Sequence, residues 1–162
     1  AMGFDPPSLE AAAAWCLRNE VNYDEAFNWI VSATDPNLGG RNSFTALSTK
    51  SRLLSKLNRQ AEADEAMRLG LENASAQEMH LYGRELLTEK KTKEAFAVFE
   101  KNFKKNKGAW PTHVGMMRGY SALGDLKKAL EHARLALAQA PNEVNKQSLE
   151  QAIKTLESGK PL

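Results

Sequence analysis

Two stretches of this chain write the same helical pattern 34 residues apart, a regularity that limits its fold more than any other feature. The first reads Leu81-Tyr82-Gly83-Arg84-Glu85-Leu86-Leu87, a short polar break, then Lys93-Glu94-Ala95-Phe96-Ala97-Val98-Phe99. The second reads Gly115-Met116-Met117-Arg118-Gly119-Tyr120, the break Leu123-Gly124-Asp125, then Lys127-Lys128-Ala129-Leu130-Glu131-His132-Ala133. Each copy is two amphipathic helices, and a helix pair that cannot bury its apolar face alone must stack on a neighbour. Two fainter copies precede them, centred on Ala63 and Ala26. Their spacing is less even, and the breaker-rich Asp35-Pro36-Asn37-Leu38-Gly39-Gly40 absorbs the longest interval.

A 34-residue period of paired helices resembles the tetratricopeptide repeat. The expected fold is therefore all-α, a solenoid of four antiparallel helix pairs closed by a C-terminal capping helix. Residues 1–7 form a leader, in which Ala1-Met2-Gly3 has the look of a cloning scar. The repeats span about 8–38, 42–74, 75–107 and 109–141, and residues 142–162 form the cap and tail.

Offsets from each small residue give the core. In the third repeat the first helix turns Met79, Tyr82, Gly83 and Leu86 inward, and the second Ala95, Phe99, Asn102 and Phe103. In the fourth they are His113, Met116, Met117 and Tyr120, then Ala129, Ala133, Ala136 and Leu137. The second repeat fits least well, because Lys50 and Ser51 fall where apolar residues belong. Ser8 is the expected N-cap of a first helix over Leu9 to Glu20, and Asn42-Ser43 and Ser75 precede the helices from Phe44 and Ala76. Val144 to Glu157 carries one apolar stripe and one wet face, as a cap requires.

Charge and motif searches narrow the function by exclusion. With 22 basic and 20 acidic residues the net charge of +2 is too balanced for a general nucleic-acid binder. Mean hydropathy of −0.51 leaves no membrane span. His80, His113 and His132 are separated along the chain without metal-ligand spacing, so no metal site and no cofactor are expected. His113 falls at a core offset and reads as a packed, hydrogen-bonded residue. Cys16 stands alone in Ala-Trp-Cys-Leu-Arg and reads as a buried structural thiol. No arrangement of residues suggests an enzyme.

One constellation points outward. Arg52, Arg84 and Arg118 each lie eleven residues before the small residue of their repeat, an offset that faces the concave groove of such an array. His80 and Val114 share that face one turn earlier. Arg18, Ser55, Leu87 and Ser121 continue it, and Trp15 takes the arginine's offset in the first repeat. Guanidinium forks suit carboxylates, so the groove would take an acidic or extended segment of a protein or peptide. The alternative is that the arginines pair with acids on neighbouring helices. The carboxylate-clamp pattern of chaperone-binding arrays is not matched, because its asparagines are absent from the groove offsets.

Phe44 to Leu54, His80 to Leu87 and Trp110 to Gly115 resemble the helical tail of a bacterial, Bacteroidetes-type family of unknown function. The resemblance covers about 8–160 and implies a periplasmic or secreted protein with a small β domain ahead of the repeats. It implies no activity. Three roles remain open: a protein-binding scaffold, a structural module packed on a preceding domain or a second copy, and a positioning arm for an enzyme located elsewhere in a longer chain.

Overall fold

A computed structural model describes residues 5–162; the leader triplet Ala1-Met2-Gly3 lies outside them. Among the described residues the secondary structure is helical throughout: nine α-helices, one short 3-10 turn and no strand. They fall into two compact units, one ending at Ala74 and the other running Ser75–Leu162.

The first unit holds α1 (Pro6–Asn19), α2 (Tyr23–Thr34), α3 (Phe44–Lys56) and α4 (Gln60–Asn73). Consecutive helices pack on one another, and α1 also reaches α3. Ala13, Cys16, Ala26, Ile30, Ala33, Ala46 and Leu53 form its main core. The N-cap of α1 corrects the sequence reading: Asp5, not Ser8, caps the helix, its Oδ1 accepting the Ser8 N–H at 2.9 Å. Pro6 and Pro7 fit inside the first turn, where no intrahelical N–H is needed, so the helix starts earlier than its polar residues suggest.

Ser51, the awkward residue of the second repeat, is buried. Its hydroxyl donates to the Ala63 carbonyl at 2.7 Å, so a side chain tethers α3 to α4 where an apolar contact was expected. Between α2 and α3 the 3-10 turn Pro36–Leu38 is held by the Asp35 side chain, which accepts the Asn37 N–H at 2.8 Å.

The second unit holds α5 (Ala76–Thr88), α6 (Thr92–Asn106), α7 (Trp110–Ala122), α8 (Leu126–Ala138) and α9 (Glu143–Glu157). Each packs on the next along α5–α6–α7–α8–α9, and α5 also touches α7. Ser75 opens α5 with a capping box: its hydroxyl accepts the Glu78 N–H while the Glu78 carboxylate accepts the Ser75 N–H. The Leu123-Gly124-Asp125 break joins α7 to α8, with Gly124 at φ +84°, a left-handed conformation that glycine adopts without strain. Ala129, Ala133, Ala136, Leu149 and Leu156 are the buried centre of the α8–α9 side.

Phe99 on α6 is fully buried among three glycines. A Cβ on Gly83 would overlap its Cε1 and one on Gly115 would come 2.7 Å from its Cδ1, while one on Gly119 would meet Phe96 Cδ2 at 2.9 Å and Phe99 Cδ2 at 3.2 Å. Gly83 on α5 and Gly115 on α7 thus make room for this ring, and Gly119 makes room for Phe96 and Phe99 together. Asn102, one turn beyond Phe99, is also fully buried, and its amide donates to the Ala76 carbonyl at 2.8 Å.

Ala26, Ala63, Ala95 and Ala129 are all 0% exposed. Ala129→Leu is expected to overpack its site and cost about 1–3 kcal/mol. Ser158→Leu, on an exposed C-cap, should stay within about 0.5 kcal/mol of the parent. Denaturant midpoints measure both, and equal midpoints would contradict the packing of Ala129.

Candidate functional site

Helical spacing within the second unit gathers the polar residues that matter. On α5, His80 and Arg84 are four residues apart and share a face. On α7, Trp110, Val114, Met117 and Arg118 fall on one stripe, and on α9 Asn145, Ser148, Leu149 and Ala152 do the same. These residues and Leu162 enclose a cavity of about 330 Å³. A smaller neighbour of about 220 Å³ is lined by Leu87, Lys90, Thr92, Arg118, Ala122 and Leu162. Arg118 belongs to both.

Close helix packing places the two arginines. Arg84 follows Gly83 and Arg118 precedes Gly119, so the glycine contacts with Phe99 draw both guanidinium-bearing turns toward α6. Among the described residues no carboxylate pairs with either arginine, and no acidic side chain lines the cavity. Arg84 is exposed, whereas Arg118 is half-buried and its Nε has no hydrogen-bond partner. Burial, and then the Arg84 charge, lower the pKa of Arg118.

Two further polar atoms of the same lining are buried without partners, His80 Nδ1 and Trp110 Nε1. His80 is only 6% exposed, its ring tilted against Phe99 at 6.1 Å between centroids. The imidazole also hydrogen-bonds the Pro111 backbone, which lacks an N–H and so must accept. Burial first, then Arg118 and Arg84, push its pKa down to about 4. At neutral pH the ring is uncharged.

The chain's last residues reach this place. Leu162 lines both cavities, and its N–H donates to Ser121 Oγ at 2.8 Å, satisfying a serine that is only 2% exposed.

Of the sequence-derived groove residues, His80, Arg84, Val114 and Arg118 meet at the larger cavity. Arg52, Arg18 and Trp15 lie in the first unit, where all three are exposed. Arg52 is not without partners of its own. Trp110, Met117 and the α9 residues were missed, because α9 reads from sequence only as a cap. Asn145, Leu149 and Ala152 do recur at i, i+4 and i+7, which was the available signal.

His113 is packed and hydrogen-bonded, as its core offset implies. The separation of the histidines along the chain hides a contact between His113 on α7 and His132 on α8, whose Nδ1 atoms are 3.0 Å apart. The ring centroids are 5.2 Å apart, so the two nitrogens lie nearly on the line between them, as one N–H···N bond requires. Phe103 meets both rings edge-on and Tyr120 stacks on His132. Burial lowers the pKa of each, and for His132 the charge of His113 adds to it. Among the described residues no group of three or more metal-ligating side chains occurs.

Comparison with protein-family models, curated proteins and solved structures returns no match to this chain.

The three lowered histidine pKa values set a pH dependence. The unfolded chain takes up protons near pH 6.5 that the folded unit refuses, so stability is complete above that value and falls as pH drops toward 4. For His80 alone the loss should reach about 2 kcal/mol near pH 4.5. His80→Gln should flatten this limb in denaturant titrations run from about pH 7.5 to pH 4.5. The carboxylates with lowered pKa values, Asp5, Glu62, Glu65 and Asp125, act at lower pH and leave that window to the histidines. An unchanged slope in the variant would contradict the buried neutral ring.

Proposed function

We propose that the chain is a non-catalytic repeat scaffold that binds an acidic or extended segment of another protein at the arginine-lined cavity of its second unit. In this reading the helices are four tetratricopeptide-like pairs with α9 as the cap. The complete burial of one alanine per repeat supports that register. The observation that carries the reading is Arg84 and Arg118 at one cavity whose lining holds no acidic side chain. Two like charges close enough to depress a pKa are unfavourable by themselves and are relieved by an incoming anion. Preformed donors on rigid helices leave the ordering cost mainly with the ligand.

A structural role is the second reading, favoured by Trp15 at 52% and Leu38 at 60% exposed in the first unit. Sedimentation equilibrium at increasing concentration separates it from the first, since a self-associating module would gain mass without any ligand.

For the binding reading, the measurement is fluorescence anisotropy with labelled glutamate-rich peptides. Arg84→Ala/Arg118→Ala should lose at least about tenfold in affinity, with helical circular dichroism unchanged. Arg134→Ala removes the exposed arginine paired with Glu157 at 3.0 Å and should bind as the parent does. Added salt should weaken the parent's binding. Equal affinities for the double variant and the parent would refute the reading.

A further inference from the structure

Two cavities of the second unit are divided by the chain itself. The larger, of about 330 Å³, and the smaller, of about 220 Å³, share two lining residues, Arg118 on α7 and Leu162 beyond α9. Arg118 belongs to a helix wall. Leu162 arrives from outside it, on a segment that crosses from the end of α9 to α7. With Leu162 away, one space would run along α5 and α7 past Arg84, Arg118 and Lys90. Neither lining holds an acidic side chain.

Local sequence directs the segment there. Gly159 takes φ +78° after the last turn of α9, its N–H bonded to the Leu156 carbonyl and the Lys160 N–H to the Thr155 carbonyl. This is a Schellman ending, which turns the chain off the helix axis. Pro161 then fixes its own φ and has no N–H to donate. Past that ending the segment is held, among the described residues, by one hydrogen bond, from the Leu162 N–H to Ser121 Oγ at 2.8 Å. Leu162 stays 46% exposed. A single neutral hydrogen bond and a half-exposed leucine do little to offset the ordering of three residues. Nor does the segment answer the charge, since Ser158 to Leu162 carries one lysine and no acidic side chain.

We infer that Lys160, Pro161 and Leu162 form a strap over the groove, an internal occupant that a bound peptide displaces. This rests on the peptide-binding reading above and adds its regulation. An acidic segment takes the place of Leu162 beside Arg118, and one of its own backbone N–H groups replaces that of Leu162 on Ser121. Binding then needs the strap open, so the intact chain shows the affinity of the open form reduced by the fraction of time that it is open. A fixed wall behaves in the opposite way, because its removal takes contacts from the ligand.

The test titrates the labelled glutamate-rich peptides into the full chain and two variants. Deleting Lys160 to Leu162 removes the strap, whereas Ser121→Ala cuts its tether and leaves every residue of both linings in place. The deletion variant should bind at least about threefold more tightly than the parent, and Ser121→Ala should gain a smaller factor in the same direction. In the parent, saturating peptide should speed solvent exchange of the Leu162 amide in proton–nitrogen NMR spectra, because its bond to Ser121 is given up. That measurement needs no variant, so it decides the matter even where the deletion costs helical content. Equal or weaker binding by a deletion variant of unchanged circular dichroism would overturn the strap and leave the peptide-binding reading standing. A Leu162 amide that stays protected in the peptide complex would do the same. No binding by any of the three chains would overturn both.

Discussion

The seating of Phe99 among Gly83, Gly115 and Gly119 is the contact on which the second unit depends. A phenyl ring buried to 0% exposure contributes more apolar burial than any aliphatic core side chain around it. Its seat needs Gly83 and Gly115 to lack a Cβ, and Gly119 gives further room that it shares with Phe96. Backbone therefore approaches ring directly, and α5, α6 and α7 are fixed at close range. The residues next to the socket inherit that precision. Arg84 and Arg118 are neighbours in space because Gly83 and Gly119 are neighbours of one ring. His80, which packs against the same ring, is buried by the same event.

Electrostatics at the cavity runs against folding rather than with it. Arg118 gives up hydration without gaining an acid, and Arg84 adds repulsion. Elsewhere the chain shows how easily it could have been otherwise. Arg59 chelates Glu62, and Arg68 is shared between Glu65 and Glu72, all on exposed helix faces. Such exposed pairs contribute little to stability, yet they show that arginines here are ordinarily matched. Two arginines left unmatched beside three unsatisfied polar atoms form a local conflict of the kind that binding sites carry.

The helical class was plain in the sequence because 3.6-residue periodicity is a local property, and the alanines at 26, 63, 95 and 129 that it turned inward are all buried. The meeting of Arg84 and Arg118 at one cavity was legible for the same reason, since they hold equal offsets on α5 and α7. What stayed hidden depended on contacts between elements. Ser51 looked like a flaw in its repeat until the Ala63 carbonyl supplied its partner. Asp5 was overlooked as a cap because the two prolines after it read as a break. The contribution of α9 to the cavity follows from how it docks on α8, a geometry that its own apolar stripe does not encode.

The His113–His132 bond makes two similar rings chemically unequal. Whichever ring donates its Nδ1 proton keeps a bare lone pair on Nε2, while the acceptor ring carries its proton there instead. Only one of the two therefore has a nucleophilic nitrogen to offer an acylating reagent, although both sit in the same aromatic box. An electrophile that entered it would find a single target, and acylating that nitrogen would fix the shared proton in one orientation.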